Sequence, residues 1–287
     1  MAVKLVVFDL DGTVVDHEGK PTSSTLEKIR RLIDEGIPVA SISGRSISKS
    51  QYPFEQHTDF ADELYVGSYN GAVALDRDRD GVRRPLHEER MPEDAFRAVI
   101  EELGQAGINY IYCHLKLGDR GLESEDYMTL RRDKTIDDMT LQTATQFVID
   151  PDLTAKISDG AFGAPPKILI CPGEAAREAL YEDLRERFAG RLYIERTDAD
   201  RVEAMNPSVN KAKALASICE ASGVAIEDAM AIGDGSNDLP MLEAAGVGCL
   251  LGNADDRTKA AAEDVHHVTA FQDNGFTEAV ERFVFGS

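Results

Sequence analysis

Two acids one residue apart follow directly on an apolar run: Leu5-Val6-Val7-Phe8-Asp9-Leu10-Asp11-Gly12-Thr13. The run reads as a short buried strand. Ligands of parallel sheets bind outside the carboxyl ends of strands, so both carboxylates are expected at a crevice. A carboxylate placed there can act as a covalent nucleophile, as in aspartyl-phosphate chemistry, while a neighbouring acid moves protons. Asp-Gly is also a common turn dipeptide, so the segment alone fits a plain acidic turn equally well.

Three further segments favour chemistry. Ser41-Ile42-Ser43-Gly44-Arg45 ends a second apolar run. A hydroxyl and free backbone N–H groups at a helix start can hold an anion, or can simply cap the helix. Lys211 opens a helical stretch after Asn206-Pro207-Ser208-Val209-Asn210, where its charge opposes the helix dipole. The fourth segment, Gly233-Asp234-Gly235-Ser236-Asn237-Asp238, follows a buried strand at 229–232. It lacks the third glycine of a dinucleotide fingerprint and sets an acid where pyrophosphate would approach, so oxygen-rich metal binding fits better. If Asp9, Asp11, Asp234 and Asp238 converge, each close pair repels by roughly 4 kcal/mol at an effective dielectric of 20. That rivals a domain's whole stability of about 5–15 kcal/mol. Such a cluster requires a divalent cation or raised pKa values. Oxygen-only ligands favour Mg2+, which also neutralises phosphate oxygens.

The elements that must position these residues alternate between strand and helix. Ser24-Thr25-Leu26-Glu27 fits a capping box, opening a helix with Leu26, Ile29, Leu32 and Ile33 on one face and Gly36 as its stop. Residues 37–42, 64–66 and 72–75 read as strands, the last two separated by Asn70-Gly71. The last hundred residues repeat the pattern: helix 212–222, strand 229–232, helical turns 239–245, strand 248–251 and a closing helix 278–285. Alternation at this spacing predicts an α/β fold, a doubly wound parallel sheet with right-handed crossovers. The middle of the chain differs, with helices at 93–103 and 174–188 and strands at 110–114 and 168–171. It reads as a separate α+β domain. The expected organisation is a core of residues 1–85 and 191–287 interrupted by an inserted domain of residues 86–190.

Composition bounds the partners. Thirty-one Lys and Arg stand against 52 Asp and Glu in 287 residues, a net charge of −21. Phosphate backbones are bound by clustered basic residues, so no nucleic-acid partner is expected. An anionic small substrate would need local positive charge or a metal. Cys113, Cys171, Cys219 and Cys249 are far apart without a Cys-x-x-Cys pair, so reduced, buried thiols are expected rather than disulfides or a zinc ribbon. No apolar stretch approaches the roughly 20 residues of a membrane span, and the first apolar run is too short for a signal peptide, so the expectation is a cytoplasmic protein with no membrane partner. Nothing in the pattern specifies an oligomeric state.

The four segments, in this order, resemble the four motifs of the haloacid dehalogenase superfamily, most closely its Cof-type sugar-phosphatase branch. The resemblance covers about residues 1–83 and 195–287 and extends to Asn70-Gly71-Ala72, Asn253-Ala254 and Asp273-Asn274-Gly275. Ala212 departs from it, standing where the family usually has glycine after the lysine. The resemblance implies a Rossmann-like core with a cap domain. Asp9 would be the nucleophile and Asp11 the general acid, then the base. Mg2+ would be held by Asp9, the Asp11 backbone carbonyl and Asp234, with Asp238 in support. Ser43 and Gly44, Lys211 and Asn237 would bind the transferring phosphoryl group. The interval from Asp9 to Ser43 is too short for a cap, whereas that from Ser43 to Lys211 holds one, with hinges expected at 75–86 and near 190. The expected activity is hydrolysis of a small phosphorylated metabolite, a sugar phosphate by preference. A phosphomutase using the same phosphoaspartate and a non-catalytic phosphometabolite binder are the alternatives, with a nucleotide-binding dehydrogenase a distant further one.

Other segments imitate sites. Asp76-Arg77-Asp78-Arg79-Asp80-Gly81 starts like a calcium loop, but position twelve is His87 and a strand precedes it, so a polar hairpin tip is expected. His266-His267 reads as structural. Arg131-Arg132-Asp133-Lys134 reads as a solvated charged loop.

Overall fold

A computed structural model of the chain describes residues 2–286. Its strands are β1 (Leu5–Phe8), β2 (Val39–Ile42), β3 (Tyr65–Ser68), β4 (Val73–Leu75), β5 (Pro85–Glu88), β6 (Asn109–Gly118), β7 (Gly121–Thr129), β8 (Phe147–Ile149), β9 (Lys167–Cys171), β10 (Tyr193–Arg196), β11 (Val202–Met205), β12 (Ala229–Gly233), β13 (Val247–Leu251) and β14 (His266–Val268). Its helices are α1 (Ser23–Asp34), α2 (Ile47–His57), α3 (Glu93–Ala106), α4 (Lys134–Thr143), α5 (Leu153–Ser158), α6 (Glu174–Arg187), α7 (Lys211–Ser222), α8 (Leu239–Ala244), α9 (Asp256–Ala261) and α10 (Gly275–Val280).

The chain divides into two compact units. In the first, eight strands run in the order β14-β13-β12-β1-β2-β3-β4-β5. Pairings from β14 through β3 are parallel, and β4 and β5 add an antiparallel edge. Successive strands step outward from β1 in one direction, while β12 to β14 step outward in the other. The order therefore switches at β1 and β12, where a crevice forms at the carboxyl ends. Both faces of this sheet are covered. Val6 and Phe8 of β1 join a core with Ile29 and Leu32 of α1 and Phe276 of α10. Leu5 and Val7 join the opposite core with Leu215 and Ile218 of α7 and Leu242 of α8. That is why β1 is a continuous apolar run rather than an alternating one.

The second unit comprises residues 89–117 and 122–209. Its six-stranded sheet, in the order β10-β11-β9-β6-β7-β8, packs one face on α3 and α6 through Phe96, Val99, Ile100, Leu103, Tyr181 and Leu184. The expected boundary at 190 is corrected here. Residues 191–209 belong to this unit because β10 and β11 pair antiparallel with each other and β11 with β9. The chain leaves the first unit at 88/89 and returns to it at 209/210, with the short β6–β7 turn of residues 118–121 also grouped in the first unit, whereas the sequence places the changes at 75–86 and near 190.

Two local expectations also need correction. Helix α1 starts at Ser23 with Thr22 as its cap, Thr22 Oγ1 accepting from the Thr25 N–H at 3.2 Å. Ser24 does not cap; its hydroxyl donates to Asn274 Oδ1 at 2.7 Å. The closing helix begins earlier, at Gly275, and ends in a wider π turn over Glu281–Phe285.

The imitating segments behave as structure. Residues 76–81 form the tip between β4 and β5, where Gly81 N–H donates to Asp78 Oδ1 at 2.7 Å. His266 lies on the edge strand β14 with its ring 4.5 Å from that of Phe283. Asp133 caps α4, and Arg132 and Lys134 pair with Asp137 and Asp138 of the same helix. All four cysteines are buried and free of disulfides. Among the described residues, no helix is long and apolar enough to cross a membrane.

Candidate active site

Asp9 is the residue after β1, its N–H donating to the Ile232 carbonyl of β12 at 2.9 Å. The two central strands thus place it over the switch point, with 7% of its surface exposed. Lys211 is the first residue of α7, behind an Asn210 cap whose side chain accepts from Ala212 N–H. Its ammonium is fully buried and donates to Asp9 Oδ1 and to Asp238 Oδ1, each at 2.5 Å. Asp238 is likewise buried. Its second oxygen accepts from the N–H groups of Asp234 at 2.9 Å and Gly235 at 2.8 Å, folding the loop after β12 back on itself. Asp9, Asp234 and Asp238 each bring a carboxylate oxygen within 4.8 Å of the others. Three carboxylates around one ammonium form an oxygen-only donor set, and the residues fit a hard divalent cation.

The remaining contacts fix Asp234. Thr13 Oγ1 donates to its Oδ1 at 3.2 Å, and Asn253 Nδ2 donates to its Oδ2 at 2.7 Å and to the Gly12 carbonyl at 3.0 Å. Gly12 lies in the left-handed region at φ 75°, and a Cβ there would run into Asp234 Oδ2. Only glycine lets the turn after Asp11 approach this closely.

The electrostatics follow from burial. Asp9 is pushed up to about 8, chiefly by loss of water; Lys211 opposes that rise, while Asp238 and Asp234 add to it. Asp234 is pushed up to about 6 by burial and by Asp238. Burial works to lower Lys211, yet Asp238 and Asp9 outweigh it and hold its pKa above the ordinary lysine value. The site holds more negative charge than one lysine balances, as expected where a cation binds.

The Asp11 side chain is not one of the three carboxylates grouped here, although its charge adds to the rise of Asp234. Its half-exposed carboxylate is gripped at both oxygens by Arg45, Nε donating to Oδ2 at 2.8 Å and Nη2 to Oδ1. Ser43 is buried, its N–H donating to the Gly67 carbonyl at 3.0 Å and its hydroxyl accepting from Arg45 N–H at 3.2 Å. Asn237 Nδ2 donates to Asn70 Oδ1 at 3.1 Å. Gly44 sits against the same side chain, since a Cβ on it would lie 2.9 Å from Asn70 Oδ1. Arg45 and Asn253 lie within segments the sequence singled out. Their partners, Asp11 and Asp234, depend on loop geometry and are not visible in spacing.

The chain belongs to the haloacid dehalogenase-like hydrolases, whose family model matches residues 6–279, and within them to the Cof-type branch. It is a phosphoric monoester hydrolase of that family. It is similar to a phosphoglycolate phosphatase of Methanothermobacter thermautotrophicus, 26% identical over 98% of this chain and 99% of the relative. It is also similar to a 5-amino-6-(5-phospho-D-ribitylamino)uracil phosphatase of Bacillus subtilis, 24% identical over 98% and 96%. Among solved structures, a Thermotoga maritima protein matches with a TM-score of 0.81 at 22% identity, covering 98% of this chain and 97% of that one, a likeness of fold.

Proposed function

We propose that the chain is a Mg2+-dependent phosphatase acting on a small phosphorylated metabolite, a sugar phosphate by preference, through an aspartyl-phosphate on Asp9. The observation that carries this reading is the buried Asp9 carboxylate at the end of β1, pinned by a lysine that also holds Asp238 beside Asp234. Relatives named for phosphoglycolate and for a phosphorylated ribitylaminouracil support it, both being small phosphate monoesters.

Asp9, Asp234 and the Asp11 carbonyl would hold the cation, with Asp238 in support. When bound it neutralises charge on the phosphoryl oxygens. Ser43, the Gly44 backbone, Lys211 and Asn237 would bind the same oxygens. An Asp9 carboxylate oxygen attacks phosphorus, and the ester P–O bond breaks. The departing oxygen takes its proton from Asp11. Asp11 then takes a proton from water as that water attacks phosphorus, and the Asp9 O–P bond breaks. Both Asp11 oxygens accept from Arg45; the first step therefore requires the carboxyl to turn off the guanidinium.

The test is inorganic phosphate release from a panel of sugar phosphates, phosphoglycolate and p-nitrophenyl phosphate. Turnover is expected with Mg2+ and a loss of at least about 100-fold with excess EDTA. A panel with no turnover in Mg2+ overturns the reading, and undiminished turnover in EDTA overturns the metal's part in it.

A further inference from the structure

The turn between β3 and β4 supplies no acid, base or cation to the proposed chemistry, yet it is built at a cost. Tyr69, Asn70 and Gly71 are consecutive residues with φ of 53°, 55° and 94°. Asn tolerates the left-handed region and glycine prefers it, but tyrosine does not. Such conformations persist only where the surroundings over-determine them, and they gather at functional sites. An ordinary two-residue hairpin turn lies at the surface and spends its polar groups on its own strands. This one is buried, Tyr69 at 1% and Asn70 at 8% exposure. Its amides are turned outward onto a neighbouring loop: Tyr69 N–H donates to the Arg45 carbonyl at 2.8 Å and Asn70 N–H to the Ser43 carbonyl at 3.0 Å.

The turn touches every segment assigned to phosphoryl binding. Asn70 N–H holds the Ser43 carbonyl, and Asn70 Oδ1 receives the Asn237 carboxamide at 3.1 Å and abuts Gly44. Gly71 closes on the third segment. A Cβ at Gly71 would strike the Asn210 carbonyl and stand 3.1 Å from Lys211 Cα, so the start of α7 rests on this glycine. These three segments come from distant parts of the sequence. The described contacts with this turn give them a common reference.

We propose that the Tyr69–Gly71 turn is the element that positions the phosphoryl-binding residues, with Asn70 as the positioning residue acting on Ser43 and Asn237. The inference rests on the reading of Ser43, Lys211 and Asn237 as phosphoryl ligands. Asn70 touches no reacting atom in this account; it fixes where the ligands point, so its loss falls on binding of the anion more than on the folding of the sheet.

The experiment compares wild type with Asn70→Gly, which keeps the left-handed backbone without steric cost but removes the carboxamide. Asn70→Ser, too short to reach Asn237, is the second variant. The dissociation constant of inorganic phosphate is measured by calorimetry in Mg2+, beside kcat and KM for p-nitrophenyl phosphate and the melting temperature. Phosphate binding is expected to weaken by at least about tenfold, with KM rising in step and the melting temperature moving by less than about 4 °C. In a cycle with Asn237→Ala, the two losses are expected to fall short of additivity, because Asn70 acts in part through Asn237. Phosphate affinity within about twofold of wild type in both variants overturns the inference alone, as do strictly additive losses or a fall in melting temperature with affinity intact. A wild-type protein that binds no phosphate overturns the phosphoryl-site reading and this inference with it.

Discussion

Asp9→Asn is expected to abolish phosphate release, by roughly 10⁴-fold or more, with little change in fold. The carboxamide fills the same volume at the end of β1 and keeps an oxygen for the Lys211 ammonium, but it is a poor nucleophile towards phosphorus. A second measurement separates this from general damage. In metal-free protein the folded Asp9 titrates near 8, and the unfolded chain has the ordinary aspartate value of 3.8. Between those values the folded state holds a proton that the unfolded state has lost, so stability falls as pH rises from about 4 to about 8. That slope is expected to be shallower in Asp9→Asn, measured by urea unfolding in EDTA at several pH values. Retained turnover would remove Asp9 as the nucleophile. An unchanged slope would mean that burial does not act on Asp9 as described.

The legible parts of this molecule are those in which one short segment carries its own signal. β1 is covered on both faces, so its apolar run is unbroken and ends abruptly at Asp9. The loops bearing Ser43, Lys211 and Asp234 lie at element ends, where turn residues and caps are local. Features set by partners distant in sequence were not legible. β10 and β11 are four residues each, their acids Glu195 and Glu203 facing across the ladder. They carry no helical or parallel-strand pattern, so the boundary expected from the sequence falls before them. β7 reads Gly-Leu-Glu-Ser-Glu-Asp-Tyr-Met-Thr, too acidic to announce a strand; it forms one as the neighbour of β6 and β8. Thr22 rather than Ser24 caps α1 because Thr22 is the extended residue just before the helix, while Ser24 already lies within it and donates its hydroxyl to Asn274, some 250 residues away. The same holds for Arg45. Its place two residues after Ser43 shows a basic group near the site, but only the fold shows it closing on Asp11 rather than facing a substrate anion.

Lys211→Met is expected to strike stability and turnover together, and to do so in a pH-dependent way. The methionine fills the space of the aliphatic stem, so what is lost is the ammonium and its two hydrogen bonds at 2.5 Å to Asp9 and Asp238. Removing one partner of a buried ion pair costs about 3–5 kcal/mol, because the other charge is left uncompensated; here two acids are left beside Asp234. The ammonium works to lower the pKa of Asp9. Without it Asp9 rises further, and folding at pH 8 must draw a proton that the unfolded chain does not carry. The loss is therefore larger at pH 8 than at pH 5, where proton uptake costs less. Adding Asp238→Asn to Lys211→Met removes one of the stranded charges and is expected to return part of the stability, whereas Asp238→Asn alone destabilises. That opposite sign is the signature of coupling between the two residues. Mg2+ is expected to stabilise the metal-starved Lys211→Met protein by binding only its folded form, while turnover stays down by at least about 10²-fold for want of a cation on the phosphoryl oxygens. Urea unfolding of the single and double variants at pH 5 and pH 8 decides the matter. A Lys211→Met protein as stable as wild type at both values would show that the buried carboxylates do not depend on this lysine, and the electrostatic account of the site would fail with it.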